Sequence, residues 1–488
     1  QLAKLGISSK EKLFDVLKAL SKDELKKFSE YLSSPLFNKR KVLYDLYGIY
    51  KKYHPEFSDT NLTKEKVFKN LFPGKEYSDE LFRNLNSLLL GLAEDFLSFL
   101  NYSTDPLTMK KHMLAEINHR KILTLFEKNF EQSTKILETS RQKDFNYFYN
   151  LYMLYLQKDI FNSVINKFSK EDITLSEKSI LTFFIIKILE LQNYILYQCK
   201  ILGMDRSLFL NEKFIDSLIK KIPDELTRLP QIRIYYNSYK LELTGNERYY
   251  TELKRLLSKY GSLLKKEEIY NKYIDLIDYI KTKHSTKEIK TNSELFQLRK
   301  EIIEKNLLME NTIKNMFFLN LVKSGLKVGE FEWIYEFINK YQSLLIPKFR
   351  EVTLNLSLAL YHFEKTEYER SLSYAAQIKY EDNFYSLQAR NLTIRIYYET
   401  DQYDSLLNAA ASYSMYLSKN RTLSKDEVRS HNLFLNYLDK LLRIKEQNKY
   451  RKLSDLVFEM TKINFVNNYW LIDKANVLIK KSKISRPI

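Results

Sequence analysis

The residues best suited to chemistry in this sequence are six histidines, one cysteine and one Ser-x-x-Lys quartet. The histidines are His54, His112, His119, His284, His362 and His431. His112 and His119 stand seven residues apart on an expected helix, so they can share a face. No cysteine or paired carboxylate joins them to complete a tetrahedral set, and no metal is expected. Cys199 lies in ILYQCKIL, an apolar helical context without a recognisable base. It reads as a core thiol rather than a nucleophile. Ser9-Lys10-Glu11-Lys12 has the Ser-x-x-Lys spacing but no supporting motif. The nine glycines are isolated, so there is no phosphate loop, and neither His-Glu-x-x-His nor Gly-x-Ser-x-Gly occurs. Gly325-x-x-x-Gly329 is assigned to a polar joint. The expectation is a non-enzymatic protein without a cofactor.

Such diffuse chemistry turns attention to the elements that would carry it. The chain has 488 residues, with only 9 Gly and 8 Pro. Glycine supplies positive φ at tight turns and proline interrupts helices, so a chain poor in both has few sharp turns and long segments. Helical periodicity dominates, and no alternating run with hairpin turns is present, so strand content should be close to nil. The 37 tyrosines suit thin, layered cores, because a tyrosine can bury its ring and keep its hydroxyl wet. Ser21-Lys22-Asp23-Glu24 has the capping-box spacing, and the same four residues recur at Ser424–Glu427. Helices are expected over 41–53, 61–72 and 79–102. The turn-rich stretch YSTDPLT (102–108) marks a boundary, giving a helical domain over 1–103 and a second over 104–488. Short polar joints beyond it favour antiparallel hairpins.

The most apolar run, 180–197, carries Lys187, Glu190, Gln192 and Asn193. Those side chains would be costly at mid-bilayer, so a helix buried inside protein is expected and no membrane span. The N-terminus lacks the basic and apolar regions of a signal peptide. With one cysteine the chain forms no intramolecular disulfide, and a reducing, cytoplasmic setting is expected.

One internal similarity stands out. EKTEYERSLSYAAQ (364–377) is followed 35 residues later by ETDQYDSLLNAAAS (399–412). From Leu358 the first copy resembles a tetratricopeptide-repeat (TPR) unit, a helix pair repeated about every 34 residues. Leu358 and Ala359 match the family's Leu-Gly pair, Glu367-Tyr368 its Asp-Tyr turn, and Ser371 the small residue opening the second helix. Two helices approach closely only where side chains are small, which Ala359 and Ser371 provide. Tyr368 should cover the hairpin end, with Leu372, Ala375 and Ala376 facing neighbouring helices. In the second copy Ile394 and Leu406 replace the small positions. Upstream, Gly329-Glu330-Phe331 opens a further weak copy. The clearest units span about 320–415. The resemblance implies an all-α fold: a right-handed α-solenoid of antiparallel helix hairpins, with 1–103 as an N-terminal helical cap and 441–488 as basic capping helices. It also implies an interaction scaffold or adaptor that binds a protein or peptide.

Net charge is +18. Residues 441–488 hold eleven Lys/Arg against four Asp/Glu, a net +7, and end in KKSKISRPI. Lys449, Arg451, Lys452, Lys480, Lys481, Lys483 and Arg486 form the candidate partner-binding patch, suited to an acidic partner. The alternative is a nucleic-acid-associated protein using this region. LTKEKVFKNLFPGKEYSDELFRNLNSLL (62–89) is similar in pattern to a helix-turn-helix, and loosely resembles the DNA-binding part of bacterial activators with TPR-like repeats. Its second helix has one basic residue, Arg83, against Asp79, Glu80, Glu94 and Asp95, which argues against insertion into a groove.

Overall fold

A computed structural model describes residues 9–57, 62–205, 212–283, 288–308, 312–378, 383–447 and 449–484. The described residues form twenty-four α-helices and no strand. The chain divides into two compact units, residues 1–188 and 189–488.

The first unit opens with α1 (Ser9–Ala19), α2 (Lys22–Ser33), α3 (Lys41–Lys51), α4 (Lys64–Leu71) and α5 (Asp79–Thr104). Phe82, Leu85, Leu89, Ala93 and Phe96 recur at helical spacing along α5 and are buried. All four preceding helices pack against α5. The Ser21 box closes as expected: Ser21 N donates to Glu24 Oε2 at 2.8 Å and Glu24 N to Ser21 Oγ at 3.3 Å. Asp105 then caps α6 (Pro106–His119), with Pro106 in the first turn where its missing N–H is harmless. A second core joins α6, α7 (Phe126–Glu138) and α8 (Phe145–Val164), where Phe126 and Phe161 stack at 4.1 Å.

Helix α9 (Lys170–Leu202) runs through the division between the units. By length and composition it could cross a membrane, and 44% of its most apolar stretch is buried. The expectation of a buried helix over 180–197 is therefore only half met. Gln192 and Cys199 are buried, whereas Leu191, Tyr194 and Tyr197 lie exposed.

The second unit continues with α10 (Glu212–Lys221), α11 (Asp224–Thr227), α12 (Pro230–Thr244), α13 (Glu247–Tyr260), α14 (Lys266–Thr282) and α15 (Glu288–Glu304). Then come α16 (Asn315–Lys327) with α17 (Phe331–Tyr341), α18 (Pro347–Glu364) with α19 (Tyr368–Ala376), and α20 (Asn383–Glu399) with α21 (Tyr403–Lys419). The last helices are α22 (Lys425–Glu446), α23 (Leu453–Thr461) and α24 (Asn468–Ile484). The second Ser-Lys-Asp-Glu also closes a capping box, at the start of α22.

Three successive helix pairs, α16/α17, α18/α19 and α20/α21, share one turn. Its pivot has positive φ at Gly329 (84°), Thr366 (60°) and Asp401 (53°). The next N–H reaches the carbonyl five residues back: Glu330 to Gly325 at 3.0 Å, Glu367 to His362 at 2.8 Å, Gln402 to Tyr397 at 2.9 Å. This closure satisfies carbonyls at the end of the first helix. An aromatic residue, Phe331, Tyr368 or Tyr403, then opens the second helix. The first helices also pack in series, α16 on α18 and α18 on α20.

The helix crossings behind these turns differ. Ala359 and Ser371 are both fully buried, and Ser371 Oγ donates to Ala359 O at 2.7 Å. At the preceding crossing, Gly325 is buried within α16 rather than lying in a polar joint. A Cβ there would sit 2.5 Å from Ile334 Cδ1 and 2.9 Å from Phe296 Cε2. The third crossing has Ile394 and Leu406, both fully buried. Of the alanine pairs, Ala375 is buried but Ala376 and Ala411 are exposed.

Candidate functional site

Within the candidate basic patch, Lys449, Arg451, Lys452, Lys480 and Lys481 are exposed. Lys483 falls in the last turn of α24, and Arg486 lies outside the described residues. The short turn Tyr450–Lys452 packs against α22, α23 and α24, so Arg451 and Lys452 sit on an element adjoining the helix of Lys480 and Lys481. Lys481 also acts on Asp401, whose carboxyl is held below its usual range by the Tyr403 hydroxyl, with Lys445 and Lys481 assisting. Of the histidines, His112 and His119 are both exposed on α6, and His284 lies outside the described residues. His362 and His431 are buried in separate networks.

Among the cavities of the second unit, two bring charged side chains together. The first, about 430 Å³, lies among α9, α12 and α14. Three of its lining residues, Asn193, Lys272 and Asp275, converge on Ser238, which is fully buried behind them. Lys272 Nζ and Asn193 Nδ2 each donate to Ser238 Oγ at 2.8 Å, and Ser238 Oγ donates to Asp275 Oδ2 at 2.5 Å. A serine beside a lysine and a carboxylate has the composition of a nucleophilic site. Here the hydroxyl donates a hydrogen bond to Asp275 and accepts two, which uses its full hydrogen-bonding capacity. The geometry makes Ser238 a tie between three helices. Burial, with Asp275 and Asp278 nearby, holds the Glu242 carboxyl above its usual range despite Lys200 at 3.4 Å.

The second cavity, about 360 Å³, lies among α16, α18, α20 and α24. Arg395 of α20 lines it and is only 9% exposed. Its guanidinium stands 4.2 Å from the Phe363 ring centre and 5.7 Å from that of Trp470. Glu364 Oε1 approaches Nη2 only to 3.7 Å, beyond hydrogen-bond reach. Arg395 Nε has no hydrogen-bond partner among the described residues. The neighbouring charges are matched in pairs: Lys327 with Glu364 at 3.5 Å, and Lys474 with Glu399 at 2.8 Å. Trp470 Nε1 also donates to Glu399, at 2.8 Å. On α16, Lys323 Nζ meets the neutral Gln388 Oε1 at 2.8 Å, and burial, then Arg395, pushes its ammonium down to about 8.

Neither cavity announces itself in the sequence. Asn193 and Asp275 are 82 residues apart, and Trp470 and Glu399 are 71 apart. No local motif joins residues at such separations; only the packing does. Searches against family models, curated proteins and solved structures return no match to this chain.

Proposed function

We propose that this protein is a non-enzymatic interaction scaffold of the cytoplasm that binds a protein or peptide partner through a TPR-like, right-handed solenoid. One observation carries the reading: the three successive hairpins share one turn, with their first helices packed in series. Units that bury their faces on one another in this way present an extended surface suited to partner chains. The positive net charge and the exposed lysines and arginines near the C-terminus favour an acidic partner. The experiment is co-purification of the full chain from its native cell, then reconstitution with the purified partner. The reading expects a defined stoichiometric complex that weakens as salt rises. Elution alone, or with polyanions only, contradicts it.

A second reading has a specific observation behind it: the exposed basic residues of the Tyr450–Lys452 turn and α24 lie on adjoining elements. Nucleic-acid binding there predicts an affinity that falls steeply and linearly with log salt concentration. Replacing Arg451, Lys452, Lys480 and Lys481 with Gln should flatten that slope. The N-terminal helix-turn-helix pattern draws less support, because α5 is packed against α1–α4 and Arg83 is tied to Asp79 at 2.9 Å.

A further inference from the structure

We infer that the cavity among α16, α18, α20 and α24 is a binding site for a compact anionic group, a carboxylate or a phosphate, held by Arg395 beside Trp470. A buried polar group without a hydrogen bond carries a desolvation penalty that an incoming acceptor removes. The penalty is larger for a charged group, and the guanidinium fork matches the geometry of a carboxylate or phosphate. Arg395 meets each condition: it is 9% exposed, it lines the cavity, and its Nε lacks a partner among the described residues.

The charge balance around it points the same way. Glu364 and Glu399 line the cavity, but each is engaged by a lysine, Lys327 and Lys474 respectively. Asp473 is exposed at the rim, with Lys474 at 4.0 Å. Arg395 shares Glu364 with Lys327, at 3.7 and 3.5 Å, and its Nε is left without a hydrogen bond among the described residues. Lys323 adds positive potential nearby and is satisfied by a neutral amide. The Phe363 and Trp470 rings flank the guanidinium, and reduced solvent access strengthens its attraction for an anion. The three carboxylates in the lining repel a highly charged ligand and favour one compact anionic group on Arg395.

The anion has two candidate sources, a free small molecule or an acidic side chain of a protein partner. The site rests on this cavity and not on the scaffold reading. Thermal unfolding of the full chain tests it in phosphate, in succinate, in a Glu-rich decapeptide, and in chloride at matched ionic strength. Phosphate stabilises many proteins by exclusion from their surface, so the comparison that decides is with Arg395→Met. The inference expects a saturable rise in Tm for the wild type, lost in Arg395→Met and mostly lost in Arg395→Lys. A response to phosphate or succinate assigns a small molecule; a response to the peptide alone assigns a partner's side chain. Equal shifts in the wild type and Arg395→Met, or none beyond chloride, overturn it and leave a solvent-filled cavity. A native partner retained by Arg395→Met would remove the side-chain source while leaving the scaffold intact.

Discussion

The hairpins α16/α17 and α18/α19 reach the same backbone arrangement with opposite residue choices. In the first, glycine stands at both special positions: Gly325 where the helices cross and Gly329 where φ is positive. In the second, the turn register puts His362 and Thr366 at those positions; the close approach falls one turn earlier, at Ala359, and on the facing helix Ser371 stands in place of the bulkier Ile334. These two crossings each set one small residue against its partner, Gly325 against Ile334 and Ala359 against Ser371, whereas the third packs Ile394 and Leu406. The turn needs a left-handed residue, and glycine only meets that need most easily. The pairs therefore look unrelated in sequence while folding alike.

The largest effect should come from destroying the glycine crossing. Gly325→Val places branched carbon where a bare Cβ already lies 2.5 Å from Ile334. Overpacking of this kind costs about 3 kcal/mol. Urea unfolding should show that loss, with much of it recovered in Gly325→Val/Ile334→Ala. Full stability in the single variant would show that the crossing is looser than described.

An intermediate effect separates the two turns. Thr366 is β-branched in the left-handed region, so Thr366→Gly should stabilise by about 1 kcal/mol. The reciprocal change, Gly329→Thr, should destabilise by a similar amount. Equal signs for both changes would contradict the equivalence of the turns.

The smallest effect belongs to the third hairpin and appears only in acid. Tyr413 OH lies 2.7 Å from His431 Nδ1, and Asn391 Nδ2 lies 3.2 Å from it. Burial holds His431 below its ordinary value of 6.5, so the folded state favours neutral imidazole. A lowered folded value means that the unfolded state takes up protons first. Its contribution is thus complete above 6.5 and declines as pH falls from there toward the folded value. His431→Gln should remove that component of a stability–pH profile; an unchanged acid limb would assign it elsewhere.

These contrasts explain how much the sequence disclosed. Both Ser-Lys-Asp-Glu caps were legible, because a capping box is a local pattern of side chain and backbone. The Ala359–Ser371 crossing was legible because both of its residues are small. Gly325 was not legible because it faces the bulky Ile334, so no pair of small residues marks the crossing. The shared turn was hidden by Thr366 and Asp401, which adopt positive φ without the usual glycine. Arg395 could not be found from spacing at all. What distinguishes it is a missing partner, which is a property of packing rather than of local sequence.

The central claim is that the stacked hairpins hold a partner. Hydrogen–deuterium exchange on the full chain, with and without the reconstituted partner, addresses it most directly. The account predicts new protection concentrated on α16, α18 and α20 across successive hairpins. Protection confined to the first unit, or none over residues 315–419, would contradict it.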